Sequence, residues 1–261
     1  MPELPEVETA SRVLRAAAVG RIIRIARTLH PSARRALPDD LAERLIGRRI
    51  ETVVRWGKHQ ALTLDDGSTL HAHFRMTGDW HVGPADAPLP PHARVVLDLD
   101  DGTRVCLVDS RALGSITWHA AGTAPVPRLG PDALEERFDA TALRTALRGR
   151  RAAIKPILLD QRVVAGVGNI YAAEALWRAA IDPRVSAAAL GPARAARLVE
   201  AIKAVMHDAL EVPGRYQDDQ ATERLQVYGR EGDPCARCGA TIRRIVQAGR
   251  STYFCGGCQR R

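Results

Sequence analysis

Near the C-terminus, Cys235 and Cys238 are separated by two residues, as are Cys255 and Cys258, and sixteen residues lie between the two pairs. Each CxxC pair turns two thiolates toward one point, and the intervening GATIRRIVQAGRSTYF can form a hairpin that brings the pairs together. Zn2+ is the ion such a donor set selects. Four thiolates fill its coordination sphere and leave no open position, so the predicted zinc is structural rather than catalytic. The alternative, four free buried cysteines, does not account for the spacing. The segment 225–261 is too short to stand without a metal, so the zinc sets its fold. The fifth cysteine, Cys106, lies in a run of alternating aliphatic residues and reads as core.

Upstream, the chain changes character once. Residues 1–124 carry short alternating segments such as HQALTLDDGSTLHAHF and ARVVLDLDDGTRVCLVD, and the DDG at 65–67 and again at 100–102 reads as two hairpin turns. A helix is predicted over about 5–19 and another over about 39–46, from apolar spacing at helical period. Pro and Gly then gather in AAGTAPVPRLGPD, which places a linker at 125–131. Beyond it, over 132–224, the pattern is helical, with IKPILLDQRVV, NIYAAEALWRAAI and ARAARLVEAIKAVMHDAL as the main runs. The fold class is therefore α+β and multidomain: a β-rich N-terminal domain with flanking helices, a helical domain, and a zinc-binding hairpin at 225–261.

Composition narrows the partner. With 46% hydrophobic and 26% charged residues the chain should fold rather than remain disordered. Its net charge of +8 suits a polyanion, with nucleic acid first, although an arginine-rich genome would produce the same bias. No stretch has the roughly 18 to 20 consecutive apolar residues of a membrane helix, and the acidic N-terminus lacks the basic and apolar regions of a secretory signal. The reading is a cytoplasmic protein.

Three local features suggest chemistry. In VVAGVGNIYAAEALW, Gly166 and Gly168 precede Asn169, which predicts a helix N-terminus shaped to cradle phosphate, with Asn169 as its N-cap; a glycine-shaped interhelical turn is the plainer reading. In MPELPEVETA, removal of Met1 would make Pro2 an N-terminal secondary amine, a nucleophile whose conjugate acid titrates far below that of lysine. Attack by that amine on a sugar C1′ or an aldehyde gives a cationic iminium, an electron sink for elimination. Glu3 beside it is positioned to move protons, and Glu6, one helical turn on, is a further catalytic candidate placed to hold the terminus or a water. The plainer reading is helix-start chemistry, in which proline and carboxylates suit a first turn. Arg250 follows Gly249 at the predicted hairpin turn, near Arg243 and Arg244, where a guanidinium can grip a phosphate.

Taken together, MPELPEVE, RWGKH, MTG, DSRALG, AIKPILLDQRVVAGVGNIYAAEALW, LQVYGREGDPCARCG and GRSTYFCGGCQ resemble the formamidopyrimidine-DNA glycosylase/endonuclease VIII family over essentially the whole chain. The resemblance implies an N-terminal β-sandwich, a helix-two-turn-helix domain and a zinc finger, with DNA lying across the cleft between them. It implies Pro2 as Schiff-base nucleophile, Glu3 as general acid/base, Lys58 as phosphate contact and proton donor in β-elimination, and Arg250 as the finger arginine of δ-elimination. Positions matching the family's DNA contacts are His92, Arg111, Arg151, Lys155 and Asn169. A glycosylase must extrude its target nucleotide and fill the gap, and Met76, Arg111 and Leu113 match the three void-filling positions.

The sequence departs from the family in three places. Leu113 stands where the formamidopyrimidine branch usually has Phe, Arg75 replaces a glycine, and VPGRYQDDQATER at 212–224 is shorter than the loop that covers a flipped 8-oxoguanine. These changes argue against 8-oxoguanine as the preferred lesion, while the opening PELPE favours the formamidopyrimidine branch. The expectation is a bifunctional DNA glycosylase/AP lyase of bacterial base excision repair, a monomer acting on damaged or abasic double-stranded DNA near the nucleoid, with one structural Zn2+. A noncatalytic DNA-damage binder on the same scaffold is the alternative. A zinc-ribbon transcription or translation factor would explain the cysteines but not the N-terminus.

Overall fold

The computed structural model describes residues 1–211 and 224–261. It divides the chain into two compact units, one of Met1–Pro2 with Glu6–Pro127 and the other of Glu3–Pro5 with Arg128–Arg261. The break after Pro127 falls inside the 125–131 stretch read as a linker.

The first unit is a sandwich of two antiparallel four-stranded sheets. One has the order β1 (Ile23–Thr28), β6 (Ala93–Leu99), β7 (Thr103–Val108), β5 (Asp79–Pro84). The other has the order β2 (Ile50–Trp56), β3 (His59–Leu64), β4 (Thr69–His73), β8 (Ser115–His119). Alternation along the strands sends Leu62, Leu64, Leu70, Ile116, Leu97 and Leu107 into one shared core, joined by Val7 and Leu14 of helix α1 (Leu4–Ala18). Both DDG segments form tight hairpin turns, and Gly67 and Gly102 supply the positive φ those turns require, at 77° and 83°. The predicted helix over 39–46 is only α3 (Asp39–Glu43), and α2 (Pro31–Ala36) was not foreseen. Six residues carry too little periodicity to be read from a pattern. A proline in the first turn and the His30 imidazole, which accepts from Ser32 N–H, define α2 instead.

The second unit packs helices α4 (Ala140–Leu147), α5 (Ile154–Leu158), α6 (Asn169–Arg178) and α7 (Pro192–Glu211) around Leu143, Leu158, Val164, Leu176, Leu198 and Ile202. IKPILLDQRVV, predicted as one helical run, ends its helix at Leu158. Asp160 there closes a local turn by accepting from the Arg162 N–H at 3.0 Å, which competes with helix continuation. A two-stranded hairpin, β9 (Ile242–Gln247) and β10 (Arg250–Cys255), completes the unit. Among the described residues no helix is long and apolar enough to cross a membrane.

Candidate active site

Helix α6 begins with its free N–H groups already engaged by a side chain of this chain. Glu3, 2% exposed, accepts from Gly168 N–H at 2.7 Å, Ile170 N–H at 2.9 Å and Tyr171 N–H at 3.3 Å. The positive end of the helix dipole therefore faces a carboxylate. This corrects two expectations: the N-terminus is filled by Glu3 rather than left as a phosphate cradle, and the N-cap is Gly168, with Asn169 the first helical residue. The glycines make room for the N-terminal segment itself. A Cβ on Gly168 would lie 2.3 Å from Glu3 Cδ, and one on Gly166 would lie 2.4 Å from Leu4 Cδ1. Leu4 N–H in turn donates to the Gly166 carbonyl at 3.1 Å. Pro2, itself buried, is the residue covalently preceding the carboxylate so held.

Relieved of capping, the Asn169 side chain links α6 to β10. Its Nδ2 donates to the Ser251 carbonyl at 3.0 Å, and its Oδ1 accepts from Lys155 Nζ at 2.5 Å. Lys155 also donates to the Ser251 carbonyl at 3.0 Å and to Thr252 Oγ1 at 2.9 Å. All three N–H donors of this ammonium are thus used inside the protein, and the side chain is 1% exposed. Burial, reinforced by the Arg250 charge and partly offset by Glu3, lowers its pKa to about 8. Lys155, expected as a DNA contact, is in this structure a brace that fixes Asn169 against the hairpin. Arg250 is exposed at the start of β10, after the Ala248–Gly249 turn, with Arg243 and Arg244 exposed on β9. Arg151 is exposed just before α5.

Two residues of this unit escaped sequence reasoning. Glu174 on α6, almost fully buried, accepts from the N–H groups of Gln226, Val227 and Tyr228 at 2.8, 3.0 and 2.8 Å. Its carboxyl is raised by burial against the lowering effect of those N–H groups. Tyr228, thereby positioned, packs edge-on against Tyr253. A glutamate inside AAEALW carries no local sign of such a task. The segment 212–224, expected to be a short lesion-covering loop, lies outside the described residues apart from Arg224.

In the first unit, Lys58 is buried in the Gly57–Lys58 turn between β2 and β3, and Glu6 is buried in the first turns of α1. Met76 and Leu113 project from loops at 38% and 47% exposure, and His92 and Arg111 are exposed. Arg75 has a left-handed backbone with φ 55°. Asp109, which follows β7 and opens the DSRALG segment, carries no local sign of its task; its carboxylate bonds to residues on both the Met76 and the Leu113 loops.

The zinc-binding set is assembled as the spacing predicts. The four Sγ atoms of Cys235, Cys238, Cys255 and Cys258 lie within 4.8 Å of one another, with Cys235–Cys258 at 3.8 Å and Cys238–Cys255 at 3.4 Å. Zn–S bonds of about 2.3 Å in a tetrahedron need sulfur separations of about 3.8 Å, so the residues fit the ion. Trp177 Nε1–H donates to Cys235 Sγ at 3.3 Å, and the Arg237 guanidinium lies 4.2 Å over the Trp177 ring. Cys106 is fully buried, as read.

Comparison with known proteins gives three family matches along the chain: the formamidopyrimidine-DNA glycosylase N-terminal domain at residues 1–116, the formamidopyrimidine-DNA glycosylase H2TH domain at 129–220, and the zinc finger found in FPG and IleRS at 232–261. Formamidopyrimidine-DNA glycosylases of Paracoccus denitrificans and Cereibacter sphaeroides are 42% and 43% identical to it, covering 99% and 100% of this chain and all of theirs. Among solved structures, Lactococcus lactis formamidopyrimidine-DNA glycosylase bound non-covalently to AP-site DNA aligns with TM-score 0.90 and 33% identity, over 99% of this chain and 100% of that one. MutM in complex with DNA containing carbocyclic 8-oxo-G aligns with TM-score 0.91 and 33% identity over the whole of both chains.

Proposed function

Because this chain belongs to the formamidopyrimidine-DNA glycosylase family, we propose that it is a bifunctional DNA glycosylase/AP lyase that removes oxidised or ring-opened bases from double-stranded DNA. The observation that carries this reading is the Glu3 carboxylate, fixed by three backbone N–H groups of α6 in the residue next to Pro2. A proton-transferring group must be held within reach of the reacting atoms, and a side chain so pinned loses little entropy in doing so.

Once Met1 is removed, the neutral Pro2 amine attacks C1′ while the glycosidic C1′–N bond breaks; the base leaves with the bonding pair and takes a proton from water, and the proton that the Pro2 nitrogen loses passes to the Glu3 carboxylate. Glu3 then delivers that proton to the ring oxygen as C1′–O4′ opens, leaving the C1′=N+ iminium. Loss of a C2′ proton then expels the 3′ phosphate (β-elimination), and loss of the C4′ proton expels the 5′ phosphate (δ-elimination). Water hydrolyses the conjugate and frees Pro2. Lys58 and Arg250 are assigned to the phosphates of the damaged nucleotide, and His92, Arg111, Arg151 and Asn169 to neighbouring backbone contacts. Lys155 acts through Asn169, Glu6 supports the terminus, and Met76, Arg111 and Leu113 occupy the gap left by the flipped nucleotide. Zinc in the four-cysteine site supplies structural cross-linking of the hairpin.

Borohydride trapping on a duplex with one abasic site tests the reading. A covalent adduct is expected from the processed protein and none from a variant that retains Met1 or carries a blocked Pro2 amine. Tight DNA binding without an adduct would instead establish the noncatalytic binder. On duplexes carrying single lesions, formamidopyrimidines and oxidised pyrimidines are expected to be cut faster than 8-oxoguanine opposite cytosine. The opposite order would overturn the inference from Leu113, Arg75 and the short 212–224 segment.

A further inference from the structure

Asp109 is 1% exposed, and its two carboxylate oxygens are shared between two loops. Oδ1 accepts from the Thr77 hydroxyl and from Arg111 N–H at 3.1 Å, while Oδ2 accepts from Leu113 N–H at 2.7 Å and Gly114 N–H at 2.5 Å. Its backbone reaches a third loop: Asp109 N–H donates to the His92 carbonyl at 3.0 Å, and its own carbonyl accepts from Arg94 Nε at 2.7 Å. One buried residue therefore bonds to the turn holding Met76, the turn holding His92 and the turn holding Arg111 and Leu113.

Each of those turns contains one non-glycine residue in the left-handed region, Arg75 at φ 55°, His92 at 61° and Ala112 at 53°. Such conformations are disfavoured for residues with a Cβ and persist only where surrounding contacts over-determine them. Asp109 and its partners supply those contacts. Arg111 N–H also donates to Thr77 Oγ1 at 3.3 Å, so the Thr77 hydroxyl and the Asp109 carboxylate together form the polar seam that sets the spacing of the Met76 and Arg111–Leu113 loops.

We infer that Asp109 is a positioning residue that ties the Met76, His92 and Arg111–Leu113 loops into one rigid probe, so that the void-filling side chains enter the DNA stack together. The inference rests on the proposed role of Met76, Arg111 and Leu113. Its energetic content is specific to extrusion of a base that is still stacked. An abasic nucleotide has no base to extrude, so the probe matters little for it.

The test separates excision from lyase. Thr77→Val removes, while keeping volume, the hydroxyl that joins the Met76 turn to Asp109 and to Arg111 N–H, and Asp109→Asn removes the charge and puts an NH2 donor against the N–H groups of Leu113 and Gly114 or, flipped, against that of Arg111. Single-turnover excision of a formamidopyrimidine from duplex DNA is expected to fall about tenfold in Thr77→Val and further in Asp109→Asn, the size of a lost charged hydrogen bond. Cleavage of a preformed abasic site should stay within about twofold of the parent if the chemistry is untouched, and the Thr77→Val melting temperature should be nearly unchanged. Equal loss of both activities in step with lowered stability would make Asp109 a merely structural residue, and unchanged excision in both variants would also overturn the inference. Met76→Ala and Leu113→Ala separate the premises: if neither slows excision, the void-filling role fails and the inference with it. If both slow it and Thr77→Val does not, only the coupling through Asp109 is refuted.

Discussion

The carboxylate of Glu3 shows how one residue can be legible in kind and illegible in setting. Its adjacency to Pro2 is local and was read from MPELPEVE, but its partners lie about 165 positions away at the start of α6, and no pattern within a short window encodes them. The same distance explains the misreading of Asn169: a predicted N-cap is displaced when a remote carboxylate takes the cap positions. Gly168 is the point at which this arrangement is most exposed to substitution. A Cβ there would stand 2.5 Å from Glu3 Oε1 as well as 2.3 Å from Cδ, and neither can yield without breaking the bonds to Ile170 and Tyr171. Gly168→Ala is therefore expected to displace Glu3 and slow base excision by about 100-fold, while overpacking costs about 1–3 kcal/mol of stability. Single-turnover excision beside a denaturant melt checks this; near-parental excision would show that the position of Glu3 does not limit the chemistry.

At the scale of elements, the sheet β2-β3-β4-β8 carries a property that its hairpin signals do not announce. The register sets His59 opposite His73, and His71 opposite Ala61 and Thr117, which brings His59, His71 and His73 to one face while Leu62, Leu70 and Ala72 point to the core. His59 Nδ1 and His71 Nε2 are 2.8 Å apart and can share only one proton. Burial, followed by the charges of Arg75 and Lys58, lowers His59 to about 4, and burial with neighbouring His59, His119 and Arg75 lowers His71 to about 4. Burial with His59, Arg75, His71 and Lys58 lowers His73 to about 3. Since the unfolded residues titrate near 6.5, the unfolded chain binds more protons than the folded one below that pH. Stability is therefore fully present above about pH 6.5 and lost as pH falls toward 4. Urea melts from pH 7 to 4.5 should show the decline, and His71→Val should flatten it; a parental curve without slope would refute the linkage. Elements with strong local signals, the two DDG hairpins and the long amphipathic α1 and α7, were readable from the sequence. The short α2 and α3 and the early end of α5 were not, because a capping side chain or an aspartate-closed turn decides them rather than periodicity.

Taken as a whole molecule, the chain depends on its metal unevenly. The apolar cluster around the cysteines is small, Ala173, Val227, Ile242, Cys235 and Cys255, and two of those five residues are themselves zinc ligands. Burial on that scale cannot offset the entropy of ordering the hairpin, so metal binding there is also folding free energy. Lys155 and Asn169 draw on the same hairpin through Ser251 and Thr252, so its loss would leave a buried ammonium without two of its three acceptors. The sandwich core of the first unit contains none of these residues. Chelation of the protein should consequently weaken binding to an abasic-site analogue duplex and lower the melting of the helical and zinc-binding part, while a transition belonging to the sandwich keeps its temperature. Calorimetry before and after a strong zinc chelator, with gel-shift titrations alongside, reads both effects. Restoring zinc should return affinity and the lower transition together, whereas a single transition that moves as one, or DNA affinity unchanged by chelation, would show that the metal does not act through this local cross-link.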